Sequence, residues 1–425
     1  MYVYVITIPI NGIISLPTLG RKIQLPEIVF IILFIATFIA VLRHKTWQKF
    51  RLIIIDKALT FYGLALLISC LGHPTRASFF EFLGFIYLFI LYLIINIYLL
   101  ESGKNIRLFL VKSTQISCIV SASMGLLGLI LITLSINNPF VAYFLNYPLL
   151  GSIYRLKALS TEPIMLMSIL GVFTLIYLAD IYSKLNVKFS INTTVNLILL
   201  FTVMFFTYTK SIVMFTASYF LIVATHYTIS NKIKSLVWGV FLTTFLFLSH
   251  FTFVAKTAFN QNQYCHALEK QPIIELYDHY LLRTCYGVLK ESNLIAFSRH
   301  PFIGLGGGNF TKYVEHLKEE QIYPPYIPSY DPLSTYFGSL SELGILGFIS
   351  LLILYSTIRF VWGKFKKSDV SNESDNRFWI LMCGVLMFII AEGFVTDTMN
   401  FRHYWLVLAC FAARERTTIS SLQLT

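Results

Sequence analysis

Long apolar runs separated by short polar connections make up most of this chain. A helix that crosses the roughly 30 Å hydrocarbon layer of a membrane needs about 20 mostly apolar residues. Runs close to that length lie near residues 1–18, 26–42, 57–73, 79–100, 114–135, 164–182, 192–209, 211–229, 236–254, 335–358, 378–395 and 399–413. The pattern predicts an all-α polytopic membrane protein with about 12 transmembrane helices. Because the first run has neither a basic stretch ahead of it nor a cleavage site, we interpret it as a membrane segment and not a signal peptide.

Two long polar segments interrupt the apolar runs, at about 136–163 and 255–334. They divide the chain into helices 1–9 (residues 1–254), a large loop (255–334) and helices 10–12 with the C-terminal tail (335–425). Within the large loop, apolar side chains recur at helical spacing after Pro272. This spacing predicts an amphipathic helix that lies against the membrane domain. Its apolar positions are Ile274, Tyr277, Leu281, Cys285 and Val288.

Composition agrees with a membrane protein and indicates an orientation. The 425 residues are 56% hydrophobic and 13% charged, with a mean hydropathy of +0.70, which excludes an ordinary soluble domain. The net charge of +12 comes largely from lysines and arginines in alternate connections. By the positive-inside tendency, those connections and both termini are cytoplasmic, and the 255–334 loop is external. No basic stretch is dense enough to predict a nucleic-acid partner.

Cysteine usage adds little chemistry. The six cysteines include no CxxC pair, so neither a zinc site nor a redox motif is expected. Cys265 and Cys285 share the predicted external loop, where a disulfide is compatible with an oxidising compartment. Two free thiols are the alternative, and the sequence does not decide between them.

Several basic side chains fall on the predicted external side, against the general tendency. One explanation is a phosphorylated lipid headgroup at that depth, which arginine binds in a bidentate manner and lysine as a point charge. The alternative is a side chain that reaches solvent and has no ligand. As a set, these residues favour phosphate binding. They are Arg155, Lys210, Arg283, Arg299 and Arg402.

A polar stretch rich in glycine and proline covers residues 299–347. Gly306, Gly307 and Gly308 precede Asn309 and predict a tight turn into a helix, with Asn309 as its N-cap. Free backbone N–H groups at such a helix start can hold an anion. The run lacks both the preceding strand and the GKS ending of a nucleotide-binding loop, so no nucleotide is expected.

Carboxylates and histidines near this stretch are candidates for proton transfer. Glu342 follows the turn inside an apolar run, and Asp331 precedes Pro332, where an Asx-type turn is the simpler interpretation. His300 and His316 flank the glycines. Two further carboxylates, Glu392 and Asp397, lie in or beside apolar runs, where burial without a partner is costly. A role as a base and structural ion pairing are both open; we favour ion pairing for both, with Arg402 as the partner of Glu392.

Five sequence stretches resemble the superfamily of O-antigen polymerases and O-antigen ligases. The resemblance covers about 155–410 and is most specific at 299–347. It implies a GT-C-like, mostly helical membrane glycosyltransferase of the bacterial inner membrane, with a large helical periplasmic loop and an active site that faces the periplasm. The stretches are RLKALSTEP (155–163), YTKSIVMF (208–215), HPFIGLGGGNF (300–310), DPLSTYFGSLSELGILG (331–347) and VTDTMNFRHYWLVLAC (395–410).

The resemblance also implies a reaction. Such proteins transfer a glycan from an undecaprenyl-pyrophosphate carrier to an acceptor, which is another glycan or the lipid A-core, without a metal or other cofactor. A chain-length regulator is a candidate partner. Carried over by position, Arg155, Lys210 and Arg283 contact the phosphates or sugar of the donor, although Lys210 stands where the family commonly has arginine.

One departure from the family pattern concerns the base. Family members, the ligases especially, often have His, then Asn or Ser, then nine residues and GxxG; here Leu333 occupies the His position, followed by Ser334 and by Gly344 and Gly347. Leucine cannot accept a proton, so either another group acts as the base or phosphate stabilisation and positioning suffice. This departure favours a polymerase of repeat units over a ligase.

The sequence therefore predicts two sets of site residues. A glycan transporter without chemistry is the rival from another class, and we see neither the inverted repeats nor the broken helices that would favour it. The predicted catalytic set is Arg283, Arg299, His300, His316, Asp331 and Glu342. The predicted substrate-binding set is Arg155, Lys210, Arg402, Gly306, Gly307 and Gly308.

Overall fold

A computed structural model describes residues 1–11, 15–18, 21–44, 50–101, 105–147, 151–184, 190–256, 259, 272–365 and 373–422. The part described is mostly helical. Its helices are α1 Tyr2–Thr7, α2 Leu25–His44, α3 Ile54–Gly72, α4 Arg76–Glu101, α5 Ile106–Thr133, α6 Pro163–Tyr182, α7 Ile191–Phe205, α8 Ser211–His226, α9 Asn231–His250, α10 Cys285–Arg299, α11 Phe310–Glu319, α12 Thr335–Phe365, α13 Glu373–Leu381, α14 Cys383–Glu392 and α15 Arg402–Leu422, with a 3₁₀ turn at Thr398–Asn400.

Eight stretches of helix in the described part are long and apolar enough to cross a membrane. Two shorter apolar helices, α7 and α8, accompany them. These helices agree with a polytopic, mostly α-helical membrane protein. The eight stretches are Leu25–Arg43, Ile54–Gly72, Arg76–Glu101, Ile106–Thr133, Pro163–Tyr182, Asn231–His250, Thr335–Phe365 and Glu373–Glu392.

The membrane segment predicted at 1–18 is wrong. Helix α1 ends at Thr7, and Ser15–Thr18 forms a strand instead. Pro9 follows directly after α1 and Pro17 lies within the strand, and proline is poorly tolerated inside a helix. The apolar character of this stretch serves burial in the bundle, because Tyr4 and Val5 are fully buried.

Short antiparallel strands join the helices. Strand β1 (Ser15–Thr18) pairs with β2 (Arg21–Gln24), and β3 (Val141–Tyr147) pairs with β4 (Gly151–Leu156). A third sheet has the order β5-β7-β6. Its strands are β5 Phe251–Ala255, β6 Ile274–Leu276 and β7 His279–Arg283, with Phe251 opposite Arg283 and Ile274 opposite Leu281.

This third sheet corrects the amphipathic helix predicted from Pro272. Residues 274–283 form the β6–β7 hairpin, and helix α10 begins only at Cys285. Tyr277 lies in the hairpin turn with φ 39° and is 95% exposed, a conformation through which no right-handed helix can pass. The helical spacing of apolar residues therefore arose by chance across a hairpin and the following helix.

Two helices form the centre of the bundle. Almost every side chain of α6 is buried, and residues 404–413 of α15 are almost completely inaccessible. A helix that is apolar all round is most stable when it is surrounded by other helices. By contrast, α2 and α9 keep most of their apolar side chains exposed, at the perimeter.

One end of the bundle, which we call the paired end, holds ion pairs between helices. At the start of α3, both carboxylate oxygens of Asp56 accept hydrogen bonds from Nη2 of Arg416, at 2.6–2.7 Å. Consecutive charged residues of α15 thus bind three different helices. The other pairs are Arg414–Asp375 at 3.0 Å, Lys364–Glu415 at 2.9 Å and Arg107–Asp180 at 2.7 Å.

The opposite end of α3, which we call the loop end, contacts the segment that follows β7. Ser69 Oγ lies 2.6 Å from the carbonyl oxygens of both Ile303 and Glu342. The segment has an apolar core of its own under the membrane helices. This core includes Val288, Leu289, Phe310, Val314, Leu317, Tyr323 and Ile327.

Candidate functional site

Helix α12 is broken at Gly344, and the glycine-rich loop fills the break. Gly344 has φ 65° and ψ −160°, outside the helical region. Leu305 N–H donates to the Ser341 carbonyl and Gly306 N–H to the Glu342 carbonyl, both at 2.9 Å. Ile345 N–H in turn donates to the Pro301 carbonyl at 2.8 Å. The loop therefore satisfies peptide groups that a broken membrane helix would otherwise leave unpaired. The expectation that no helix is broken is wrong.

Two glycines allow this close approach. A Cβ atom at Gly304, where φ is 67°, would lie 2.3 Å from the carbonyl carbon of Glu342. A Cβ atom at Gly344 would lie 2.4 Å from the Phe302 carbonyl oxygen. Both positions combine a left-handed φ with backbone contact, which only glycine tolerates without strain. The glycines of this region thus serve backbone packing between the loop and α12.

The predicted anion-binding position of the glycine loop is occupied by the chain's own carboxylate. Glu342 Oε1 accepts the Phe310 N–H at the start of α11 at 3.2 Å, and Gly308 also donates a backbone hydrogen bond to this carboxylate. The arrangement neutralises the positive end of the α11 dipole. Gly306, Gly307 and Gly308 are therefore poor candidates for phosphate binding, because an external anion would have to displace Glu342.

Asn309 occupies the N-cap position of α11, but its side chain makes no cap hydrogen bond. Its Oδ1 accepts a hydrogen bond from Thr75 Oγ1 at 2.7 Å, and its Nδ2 donates to Ser78 Oγ and to the Leu305 carbonyl, both at 2.9 Å. Asn309 thus ties the loop to the start of α4. The predicted capping role passes to Glu342.

A cavity lined by carboxylates adjoins Glu342. Asp397 accepts hydrogen bonds from Asn400 Nδ2 at 2.7 Å and from the Met399 N–H at 3.2 Å. Burial, followed by the neighbouring charge of Glu81, raises the pKa of Asp397 to about 7. An anionic group would be repelled here. The lining residues include Tyr62, Glu81, Phe85, Thr335, Ser339, Glu342, Asp397 and Asn400.

Two lysines meet at the C-terminal end of α9. Lys210 Nζ, in the turn before α8, donates to the Leu248 carbonyl. Lys290 Nζ, from α10, lies 3.3 Å from Ser249 Oγ and 3.5 Å from His250 Nδ1. The carbonyl end of a helix carries partial negative charge, which attracts ammonium groups. Within the described ranges, neither lysine forms an ion pair with a carboxylate.

The electrostatics of the two lysines reflect their burial and proximity. Lys290 is only 3% exposed. Burial lowers the pKa of Lys210 to about 8, and burial together with the charge of Lys210 lowers the pKa of Lys290 to about 8. Each lysine therefore carries a positive charge near neutral pH that the surrounding protein only partly compensates.

Two predicted arginines adjoin this lysine pair. Arg155 Nε donates to the Thr207 carbonyl at 2.8 Å, in the turn that leads to Lys210. Arg283 forms an ion pair with Glu291 at 2.5 Å, one residue beyond Lys290. Arg155, Lys210 and Arg283 thus lie in one neighbourhood, although the charge of Arg283 is balanced by Glu291.

The remaining predicted residues lie elsewhere. Arg299 pairs with Glu320 at 2.8 Å on an exposed surface, and His316 Nε2 lies 3.0 Å from the same Glu320. Asp331, also exposed, accepts a hydrogen bond from Thr311 Oγ1 at 2.6 Å. These three residues form surface interactions between α11 and its flanking segments and do not surround a common chamber.

His300 and Arg402 lie at two other positions in the structure. The His300 ring lies edge-on to His73 with a centroid distance of 5.9 Å, and burial, His73 and Arg299 together lower its pKa. Arg402 forms an ion pair with Glu27 of α2. The predicted cations therefore do not all gather at one site.

The predicted Glu392–Arg402 pair is wrong. Glu392 accepts a hydrogen bond from Ser168 Oγ at 2.6 Å, and Ser168 Oγ lies 2.9 Å from His403 Nε2. Arg402 instead turns toward α2. A serine hydroxyl from α6 thus replaces the expected ion pair, and this contact joins positions more than 200 residues apart.

Sequence reasoning missed Lys290, His250 and Glu81. The argument that selected Lys210, a basic residue on the predicted external side, applies equally to Lys290, whose position in the large loop could have identified it. His250 ends an apolar run, and Glu81 starts one, so no local pattern distinguishes them. Cys265 lies outside the described residues, and the alternatives for Cys265 and Cys285 stay open.

The described residues contain no group of three His, Cys, Asp or Glu side chains that could hold a metal ion. Comparison with other proteins gives no independent indication of what this site does. Neither a scan against protein-family models nor a search of curated proteins returned a match to this chain.

Proposed function

We propose that this chain is a polymerase of surface polysaccharide in the bacterial inner membrane. Its donor is an oligosaccharide repeat unit carried on undecaprenyl pyrophosphate, and its acceptor is a sugar hydroxyl of another glycan. The loop end faces the periplasm, where such carriers present their glycans. The GT-C-like architecture belongs to this proposal, with 11 of the 12 predicted transmembrane helices, because the run at 1–18 does not form one.

One observation carries the proposal: a chain of contacts links three of the five stretches on which the family resemblance rests, at 155–163, 208–215 and 331–347. Arg155 reaches the 207 carbonyl, and Lys210 reaches the end of α9. Lys290 reaches Ser249 and His250 from α10, and its ammonium group lies 5.8 Å from the ring centre of Phe337. Residues distant in sequence thus meet around cations, as a site for a lipid diphosphate requires.

The reaction that fits this arrangement is a single displacement. The acceptor hydroxyl attacks the anomeric carbon, a new glycosidic C–O bond forms, and the bond to the diphosphate oxygen breaks. The diphosphate leaves with the electron pair, and the lysines stabilise its negative charge. The hydroxyl proton passes to a base or to solvent.

The predicted bases are engaged in other interactions. Glu342 binds the start of α11, Asp331 binds Thr311, and His316 binds Glu320. Leu333, at the position where the family often has histidine, packs against the apolar core of the segment after β7. We therefore propose that positioning and stabilisation of the departing diphosphate supply most of the rate enhancement.

Transfer to the lipid A-core, the ligase reaction, uses the same donor chemistry. Leu333 favours the polymerase, because the histidine pattern that it interrupts is most frequent in ligases. Deletion of the gene separates the two. A strain without the polymerase displays single repeat units on its surface lipid, whereas a strain without the ligase displays none.

A transporter of lipid-linked glycan is the second candidate, and the break in α12 favours it. Broken helices commonly form substrate sites in transporters. Here, however, residues 301–306 fill the break with backbone hydrogen bonds and glycine contacts. A break held so tightly is suited to a static scaffold and not to a moving gate.

Reconstitution tests the proposal directly. The full chain in proteoliposomes, supplied with undecaprenyl-pyrophosphate-linked repeat units, should produce longer glycans and release undecaprenyl pyrophosphate. Lys210→Met should slow this release, whereas Lys312→Met, at an exposed position of α11, should not. Unchanged glycan length together with movement of the lipid between leaflets would establish the transporter instead.

A further inference from the structure

We propose that Lys290 and Lys210 together form a subsite for a diphosphate group at the C-terminal end of α9. The inference rests on the proposed function for the identity of the lipid that carries this group, but not for the binding of the group itself. No sequence pattern singled out Lys290. Its position in the fold does so, because it contacts Ser249 and His250, directly beside the Leu248 carbonyl that Lys210 contacts.

The first argument is convergence. Lys210 approaches from the start of α8 and contacts residue 248, whereas Lys290 approaches from α10 and contacts residues 249 and 250. Two ammonium groups that bind successive residues at a helix end are close enough for one diphosphate to bridge. Like charges held together repel, and an anion between them would remove this repulsion.

The second argument is charge balance. Burial of an ammonium group costs several kcal/mol unless an opposite charge compensates it. The described partners of Lys290 are a hydroxyl, an imidazole nitrogen and the Phe337 ring, all of them neutral or weakly polar. Glu291, the nearest described carboxylate along α10, pairs with Arg283 at 2.5–2.6 Å. Neither lysine therefore has a carboxylate partner among the described residues, and their two positive charges match the two negative charges of an esterified diphosphate.

The third argument is the contrast with the nearby cavity. On α12, Phe337 faces Lys290, whereas Thr335, Ser339 and Glu342 line the carboxylate cavity. At 100° per residue these positions point to different sides of the helix. A diphosphate is thus attracted to one side of α12 and repelled from the other, so the lysine pair is the favoured position for it.

The competing explanation is that both lysines only secure the end of α9 through hydrogen bonds to its last turn. That explanation requires only the hydrogen bonds of the lysines and gives their positive charge no role in ligand binding. It predicts that Lys290→Met lowers stability and leaves anion binding by the folded protein unchanged. The two explanations therefore differ in a binding measurement.

The test measures the affinity of four probes for the purified full-length protein in nanodiscs. The probes are undecaprenyl diphosphate, undecaprenyl monophosphate, uncharged undecaprenol and inorganic pyrophosphate. We expect Lys290→Met to weaken undecaprenyl diphosphate binding about ten- to a hundredfold and undecaprenol binding by less than about threefold. Lys290→Arg, which retains the charge, should bind within a few-fold of the unmodified protein. Lys312→Met is the matched control and should bind normally.

The inorganic probe distinguishes the source of the diphosphate. If pyrophosphate binds with the same dependence on Lys290, the subsite recognises the headgroup alone. If only the lipid shows this dependence, the tail must first place the headgroup between the lysines. Either result supports the subsite.

Two outcomes overturn the proposal. In the first, Lys290→Met binds undecaprenyl diphosphate as tightly as Lys312→Met does. In the second, Lys290→Met loses affinity for undecaprenyl diphosphate and for undecaprenol to the same extent. Should Lys290→Met fail to fold, Lys290→Arg supplies the test, because arginine does not deprotonate at the pH values used. Diphosphate binding by the unmodified protein should fall between about pH 7 and 9.5 as Lys210 and Lys290 lose their protons. Lys290→Arg should show a shallower fall, and an identical profile would refute the role of Lys290.

The groups that face this pair, and that titrate or carry charge near it, are His250 on α9, Cys285 and Glu291 on α10, and Arg283 on β7. Glu291 and Arg283 are paired with each other at 2.5 Å, and Lys290→Arg leaves all four of these groups in place, so the comparison of the two pH profiles isolates Lys290. If the subsite binds diphosphate but reconstituted protein transfers no glycan, the enzymatic proposal fails and the subsite stands. If the reconstituted protein transfers glycan, and Lys290→Met binds diphosphate and transfers glycan normally, the subsite proposal fails and the enzymatic proposal stands.

Discussion

The paired end and the loop end treat charge in opposite ways. At the paired end, arginine and lysine side chains meet carboxylates one to one, as in Arg416–Asp56 and Lys364–Glu415. At the loop end, exposed ion pairs such as Arg299–Glu320 occur too, but several buried charges lie beside others of the same sign. Lys210 and Lys290 share one site, and Glu81, Glu342 and Asp397 share another. Charges that neutralise one another hold helices together, whereas separated charges leave a field that a ligand can use.

The difference also explains why charged residues within membrane segments are ambiguous in a sequence. Asp56 and Glu342 both lie within helices that are apolar enough to cross a membrane. One is fully paired with Arg416, and the other binds backbone N–H groups next to a cavity. Only the partner, and not the residue type or its depth, distinguishes a structural charge from a candidate functional one.

The largest expected effect breaks the paired end. Arg416→Ala leaves the Asp56 carboxylate, with a side chain only 2% exposed, buried without its cation. We expect a loss of about 3–5 kcal/mol in the free energy of unfolding. The measurement is thermal or denaturant unfolding in detergent micelles.

The Arg377–Glu373 pair on the same end supplies the control, because its atoms lie 3.6 Å apart and its side chains are 35% and 68% exposed. Arg377→Ala should cost less than about 0.5 kcal/mol. Combining Arg416→Leu with Asp56→Asn removes both buried charges and should recover much of the loss. An Arg416→Ala protein as stable as the unmodified one would refute the distinction between the two ends.

The next effect concerns the break in α12. Gly344→Ala places a Cβ atom 2.4 Å from the Phe302 carbonyl oxygen at a φ of 65°. We expect a loss of at least about 2–3 kcal/mol, measured by the same unfolding assay. Gly363→Ala, in the same helix but with open space around it, should be neutral or slightly stabilising. Equal effects of the two substitutions would show that the loop does not hold the break.

A smaller effect tests the role of Glu342. In Glu342→Gln an amide oxygen still accepts the Phe310 N–H, so the start of α11 should keep its cap. We expect transfer activity within about threefold of normal, whereas removal of a general base costs about 10²–10⁴-fold. Steady-state transfer assays measure this difference. A loss of a hundredfold in a protein of normal stability would identify Glu342 as the proton acceptor.

The smallest effect is a pH dependence at the carboxylate cavity. The pKa of Asp397 rises from its ordinary value of 3.8 to about 7, because burial and Glu81 disfavour its charged form. The folded state therefore binds the proton more tightly than the unfolded state. Its contribution to stability is complete below about pH 4 and is lost as the pH rises toward 7.

Melting temperatures recorded from pH 4 to 8 check this contribution. The unmodified protein should lose more stability over this range than Asp397→Asn, which cannot ionise. A parallel course of the two curves would mean that Asp397 titrates normally and that the carboxylates of the cavity do not interact.

Much of the helical framework follows from the sequence alone. The run predicted at 164–182 coincides with Pro163–Tyr182, and the run at 57–73 with Ile54–Gly72. These segments are apolar over their whole length, and lipid or neighbouring helices accept any of their faces. The signal is local, so a single sequence is sufficient to read it.

The features that the sequence did not predict depend on distant contacts. The break at Gly344 forms because residues 301–306 pack against it. Arg402 pairs with Glu27 and not with the predicted Glu392, because α2 lies beside it. The hairpin at 274–283 carries helical spacing by coincidence. The lysine pair joins positions 210 and 290 through a third segment at 248–250, and no periodicity within one segment records such an arrangement.

The filled break also constrains how the chain is made. The peptide groups exposed at Gly344 cannot be satisfied by lipid, and their hydrogen-bonding partners at 301–306 precede them in the chain. During synthesis those partners are already translated when the second half of α12 emerges. The loop thus provides the partners of the break before the break itself is made, and a chain without the loop would leave those peptide groups unpaired in the membrane.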